Sequence, residues 1–144
     1  MLRKIERKDV LALQQLNAME LGYAVSLELT ETKLQKLMKE KDHHFLRVYE
    51  DLKTKQVVGY VHAEVYDNLY SETMFNVMGL AVLEAHQQQG IGKQLMDEVE
   101  LEAKRRNYLA IRLNSGENRS NAHQFYEKMG YQANKMQKRF IKFC

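Results

Sequence analysis

The run ETMFNVMGLAVL, residues 72–83, passes through a glutamine-rich turn holding Gly90 and Gly92 straight into an amphipathic segment. The run's length and its branched and aromatic content predict a buried strand. Ile91, Leu95, Val99 and Ala103 then recur in fours, the stripe of a helix packed on one face. A strand that feeds a helix through so short a loop demands layered α/β packing, because each element must cover the other's apolar side. Glycine costs about 1 kcal/mol against alanine inside a helix. Two of them at a helix start therefore signal a backbone that needs unusual dihedrals or close approach by another group.

The neighbouring segments extend this unit. LRKIE (residues 2–6) reads as a short strand, and apolar residues at Val10, Leu13, Leu16 and Leu21 predict a helix with Asp9 as its cap and Gly22 at its end. TETKLQKLMKE predicts a second helix, capped by Thr30, with Leu34, Leu37 and Met38 inward. HFLRVYED and QVVGYVHAEVY predict two strands joined by DLKTK. YLAIRLN predicts a strand from Tyr108 to Asn114, and NAHQFYEKMGY a helix closed at Gly130. The tail YQANKMQKRFIKF is assigned two further strand segments. The order β-α-α-β-β-β-α-β-α-β-β belongs to a mixed sheet flanked by helices.

A helix N-terminus presents unpaired N–H groups and about half a positive charge, a ready place for phosphate. Gln87, Gln88 and Gln89 would add neutral donors. The dinucleotide fingerprint wants a third glycine where Leu95 stands, and the P-loop wants glycine and Ser or Thr where Gln87 and Gln94 stand. Two readings stay open on these residues: a phosphate loop of another kind, or a glycine turn that starts a helix.

Composition narrows the function classes. With 144 residues and no proline to mark a linker, one domain over 1–144 is expected. Net charge is only +3, with acidic and basic residues mixed, so no nucleic-acid stripe is apparent. The basic tail KMQKRFIKF reads as a solvated strand face. No run approaches the ~18 apolar residues of a membrane span, and MLRKIERKDV is not a signal peptide. Cys144 is the single cysteine, so no intramolecular disulfide can form and a cytoplasmic setting is expected. His43 and His44 are adjacent strand neighbours that would face opposite ways, and His62, His86 and His123 lack metal-ligand spacing, so no metal is expected.

Tyr126 lies on the last helix among Ala122, Phe125 and Met129. A tyrosine hydroxyl can donate a proton to a leaving group, with a reference pKa of about 10. LAVLEAHQQQGIGKQLM followed by NAHQFYEKMGY resembles the GNAT superfamily of acetyltransferases. The family's signature is Gln or Arg, two residues, Gly, one residue, then Gly or Ala. Gln87, Gly90 and Gly92 match it. The resemblance implies an α/β (α+β) single-domain GNAT-like fold: a mixed, mostly antiparallel twisted sheet with a splayed central strand pair and about four helices.

It also implies roles. Acetyl-coenzyme A would be the acetyl donor, its pantetheine arm pairing with Leu80, Ala81 and Val82 and its pyrophosphate resting on N–H groups of Gln88, Gln89, Gly90, Ile91, Gly92 and Lys93. The N–H of Val82 would polarise the thioester carbonyl, and Tyr126 would protonate the departing thiolate. An asparagine near that helix start contacts pantetheine in the family; Asn118 and Asn121 are the candidates, although Arg119 holds the expected spacing, and Asn121 with Gln124 also resembles a capping box. The general base is open among Glu64, Asp67, Glu72, Glu84, Glu20 and Glu28, with Glu64 the first to test. The implied activity is acetyl transfer to a primary amine of a small polar molecule. The alternative is a non-catalytic acyl-coenzyme A sensor, and an exposed terminal strand leaves room for a homodimer.

Overall fold

The first helix does not begin as its sequence suggests. In the computed structural model, which describes residues 1–144, Asp9 closes a single 3-10 turn, Arg7–Asp9, by accepting the Glu6 N–H at 2.8 Å. Its carboxylate also takes a two-pronged bond from Arg3, at 2.9 and 2.8 Å, and is 3% exposed. Helix α1 (Val10–Glu20) follows with no side-chain cap. Gly22, at φ +76°, reverses the chain behind it. Helix α2 (Leu27–Lys39) is capped by Ser26, whose Oγ accepts the Leu29 N–H at 3.0 Å. Thr30, the expected cap, lies buried one turn inside and donates its hydroxyl to the Ser26 carbonyl.

Strands β1 (Leu2–Lys4), β2 (His44–Glu50), β3 (Val57–Tyr66), β4 (Met74–Val82) and β5 (Ile111–Leu113) form one sheet in that spatial order. The first three junctions are antiparallel, and β4 with β5 is parallel. The parallel pair is what helix α3 (Ile91–Arg105) produces by carrying the chain back across the sheet.

Two layers cover the sheet. Leu13, Leu16 and Leu34 of α1 and α2 cluster with Leu46, Val48, Tyr60 and Ala81. On the α3 side, Ile91, Leu95, Val99 and Ala103 are all buried, as their spacing predicts. Fully burying such a side chain contributes roughly 1.5–3 kcal/mol. Gly59 permits the close approach: a Cβ there would stand 3.1 Å from the Ala81 carbonyl and 3.3 Å from Leu95.

The chain divides into two compact units, Met1–Leu113 and Asn114–Cys144. The second contains helix α4 (Ser120–Lys128). Gly130, at φ +95°, ends it: the Gly130 N–H bonds the Glu127 carbonyl and the Tyr131 N–H the Tyr126 carbonyl, both at 3.0 Å. Residues 131–144 form no strand, contrary to expectation. The physical reason lies in the pattern, since Phe140 and Ile141 are adjacent and would face opposite sides of any strand. Both are exposed, as are Met136 and Phe143. No helix is long and apolar enough to cross a membrane.

Candidate active site

The sheet opens beside β4. Its pairing with β5 runs only from Phe75↔Ile111 to Val77↔Leu113, so from Gly79 to Val82 β4 keeps a partner in β3 alone. A bulge marks the opening: the β3–β4 register shifts between His62 and Ala63, which oppose Gly79 and Val77 and leave Met78 unpaired. Gly79 lacks a side chain for a reason. A Cβ there would lie 2.9 Å from the Tyr60 hydroxyl, which donates to Asn17 of α1. Burial pushes the Tyr60 hydroxyl up to about 12.

Beyond Val82 comes a 3-10 turn, Glu84–His86, then the glutamines. Gln88 has φ +60° and Gly90 φ +82°. An added Cβ at Gly90 meets nothing within 4 Å, so its left-handed backbone, not crowding, calls for glycine. The N–H groups of Gln88, Gln89, Gly90, Ile91, Gly92 and Lys93 have no acceptor within the chain; pairing resumes with Gln94 to the Gly90 carbonyl at 3.0 Å. Unpaired donors at a helix start, with the helix dipole behind them, suit a polyanion.

The three glutamines differ. Gln87 Nε2 donates to the Val82 carbonyl at 2.8 Å and to Glu20 Oε2 at 3.2 Å, while Glu20 Oε1 accepts the Glu84 N–H at 3.1 Å. Gln87 thus ties the strand end and the tip of α1 to the loop, and its amide nitrogen is not open to a phosphate. Glu20, one of the candidate bases, serves in the same tie. Gln88 and Gln89 are exposed. The Lys93 ammonium bonds Asp97 at 2.8 Å, which raises its pKa and aligns it along the helix.

Glu64 sits half-buried on β3, opposite His44 on β2 and Asn76 on β4. Asn76 Nδ2 lies 3.4 Å from its Oε1 and His43 Nε2 3.7 Å from its Oε2. Asn76 in turn accepts from Arg112 at 2.7 Å, whose guanidinium rests 4.5 Å above the Tyr66 ring. His43 precedes β2, so it does not alternate with His44; their rings meet edge to face at 4.6 Å. His44 Nδ1 and His62 Nε2 are 2.9 Å apart, and His44 Nε2 lies 3.4 Å from Glu40 Oε2. Local spacing along the chain cannot expose such a pair. The hairpin register could have, because His44↔Glu64 pairing sets His44 beside His62. No group of three His, Cys, Asp or Glu side chains is arranged to hold a metal ion.

In the second unit, Tyr126 is half-buried, its ring 5.1 Å from Phe125 and 5.9 Å from Tyr131. Burial raises its hydroxyl pKa, against a smaller opposing effect from Arg119, so it carries its proton at neutral pH. Arg119 is the N-cap of α4 and makes no side-chain cap bond. Asn118 precedes it and Asn121 lies in the first turn, so the expected capping box does not form. Both asparagines are exposed and line a shallow, open depression with Arg119, Ser120 and Ala122.

Residues 41–133 match the family model described as the acetyltransferase (GNAT) domain. No curated protein matches by sequence. Among solved structures, an aminoglycoside antibiotic 6'-N-acetyltransferase from Acinetobacter haemolyticus is similar, with a TM-score of 0.83 at 16% identity, covering 100% of this chain and 99% of that one. AAC(6')-Iy, in complex with the bisubstrate analog CoA-S-monomethyl-acetylneamine, gives 0.85 at 14%, covering 100% and 98%. A transcriptional regulator from Bacillus halodurans C-125 gives 0.84 at 20%, covering 99% of both. At these identities the likeness is one of fold. The fold and the open strand edge define an N-acetyltransferase architecture. The chain belongs to the GNAT acetyltransferase domain family.

Proposed function

We propose that this chain moves the acetyl group of acetyl-coenzyme A directly to a primary amine of a small polar molecule. One observation carries the reading: unpaired N–H groups run from Gln88 to Lys93 at the start of α3, next to the unpartnered edge of β4. The pyrophosphate rests on those donors. The pantetheine arm runs back along Val82, Ala81 and Leu80, which brings the thioester to the bulge at Met78 and Gly79. The carbonyl is then polarised at the bulge and not at Val82, because the arm already occupies that edge. Attack by the neutral amine forms the C–N bond and expels the thiolate, whose protonation is the role that the family resemblance implies for Tyr126. The solved complex of AAC(6')-Iy with a coenzyme A conjugate of an acetylated amine supports this donor and acceptor class.

Calorimetry with coenzyme A, followed by thiol release from acetyl-coenzyme A with an aminoglycoside, a polyamine and an amino sugar phosphate, tests the proposal. Binding with turnover on at least one amine is expected. Absence of heat would overturn the loop assignment, and binding without turnover on any amine would favour a sensor. Tyr126→Phe should lower kcat about tenfold and leave coenzyme A affinity unchanged, since a thiolate is already a fair leaving group.

A further inference from the structure

The acetyl-transfer reading needs a group to remove the amine proton, and the cross-strand register supplies one not recognised from local spacing. His62 is the β3 partner of Gly79, the first residue past the bulge where the sheet opens. Paired positions in an antiparallel ladder lie roughly 4.5–5.5 Å apart at Cα. His62 is therefore the titratable side chain in register with the point the thioester reaches.

Its hydrogen-bond partners determine its tautomer. The Glu40 carboxylate can only accept, and lying 3.4 Å from His44 Nε2 it favours the His44 tautomer with the proton on that nitrogen. Neutral His44 then has a bare Nδ1, which can only accept. The 2.9 Å bond between the rings is consequently donated by His62 Nε2–H. Neutral His62 is left with a bare Nδ1. No hydrogen bond within the chain engages that atom, and it is not among the polar atoms sealed from solvent without a partner.

We propose that His62 Nδ1 is the proton acceptor of the acetyl transfer, with His44 and Glu40 as positioning residues that hold its ring and tautomer. As the C–N bond forms, the nitrogen gains positive charge and becomes far more acidic than a free ammonium. Its proton passes to His62 Nδ1, and the electron pair of the breaking C–S bond leaves with sulfur as the thiolate. The imidazolium is steadied through Nε2–H by His44, then releases its proton to water.

The surroundings fit this part. The charged and titratable groups around the ring are Glu40 just past α2, His43 just before β2, His44 of β2, and Tyr60 and Glu64 of β3. Burial, then the neighbouring imidazoles, hold His62 down at about 4, so the ring stays in its accepting form throughout the neutral range. Glu64, the rival base, is two residues farther from Gly79 and already faces Asn76 and His43.

The test compares His62→Gln with Glu64→Gln in the thiol-release assay on the same three amines. His62→Gln should lower kcat about a hundredfold, with KM for acetyl-coenzyme A unchanged, and Glu64→Gln should stay within about threefold of wild type. Added imidazole should partly restore His62→Ala, which a merely structural histidine would not show. The reverse ranking of the two Gln variants would overturn the proposal. Wild-type turnover that survives His62→Gln removes His62 alone, whereas a wild type that binds coenzyme A and never turns over removes acetyl transfer itself. If the His62 variants fail to fold, nitrogen NMR of the wild-type rings decides. Nε2–H is expected on both rings, and Nδ1–H on His62 would overturn the assignment.

Discussion

Helices α2 and α3 begin by the same physics and end up in opposite states. Ser26 closes α2 by accepting the Leu29 N–H. Gly90 opens α3 with no side-chain cap, in a left-handed conformation, and six successive N–H groups from Gln88 to Lys93 are left over. A helix start that the chain completes by itself stabilises the fold. One left incomplete at an open sheet edge costs stability unless something else supplies the acceptors. The difference separates scaffold from site without reference to any ligand.

The start of α1 lies at the closed extreme, and breaking it should have the largest effect. Asp9→Ala takes the two-pronged partner from the part-buried Arg3 guanidinium, leaving it Glu50 as its remaining hydrogen-bonded carboxylate, and removes the bond to the Glu6 N–H. A loss of about 3 kcal/mol is expected in urea denaturation, the scale for breaking one side of a buried pair. Coenzyme A affinity at fixed folded fraction should not change.

A comparable effect should appear on acidification. His62 is held at about 4 in the folded chain against about 6.5 unfolded, so its neutral form contributes full stability above pH 6.5. That contribution is lost as pH falls from 6.5 through 4, up to about 3 kcal/mol, because the unfolded chain binds the proton first. His44, also lowered by burial, acts in the same direction. Denaturation midpoints across that window should fall in wild type and flatten in His62→Gln.

Smaller effects sharpen the contrast between the two helix starts. Gly90→Ala places a side chain at φ +82° and should cost about 1–2 kcal/mol, with at least a tenfold loss of coenzyme A affinity by calorimetry. Ser26→Ala should cost about 1 kcal/mol and leave that affinity unchanged. Equal effects of both substitutions on affinity would erase the distinction.

Much of this was readable from residues alone. The Ile91, Leu95, Val99, Ala103 stripe, the strand before it and the glycine turns at positions 22, 90 and 130 follow from local periodicity and dihedral demand. The Thr30 cap was misplaced because Ser26 and Thr30 are both competent caps, and the burial of Thr30 decides between them. The tail's two strands fail for want of a consistent face. The contact of Glu20 with Gln87, 67 residues away, cannot be seen from local patterns.

The chain's own order thus determined the strand–loop–helix unit and its left-handed glycines, since both arise from neighbours a few bonds apart. Tertiary structure decided which polar groups meet: Arg3 with Asp9 and Glu50, Glu20 with Gln87, His44 with His62. The meeting of His44 with His62 depends on the β2–β3 register, and a slip of a single residue would turn one of the two rings to the other face of the sheet.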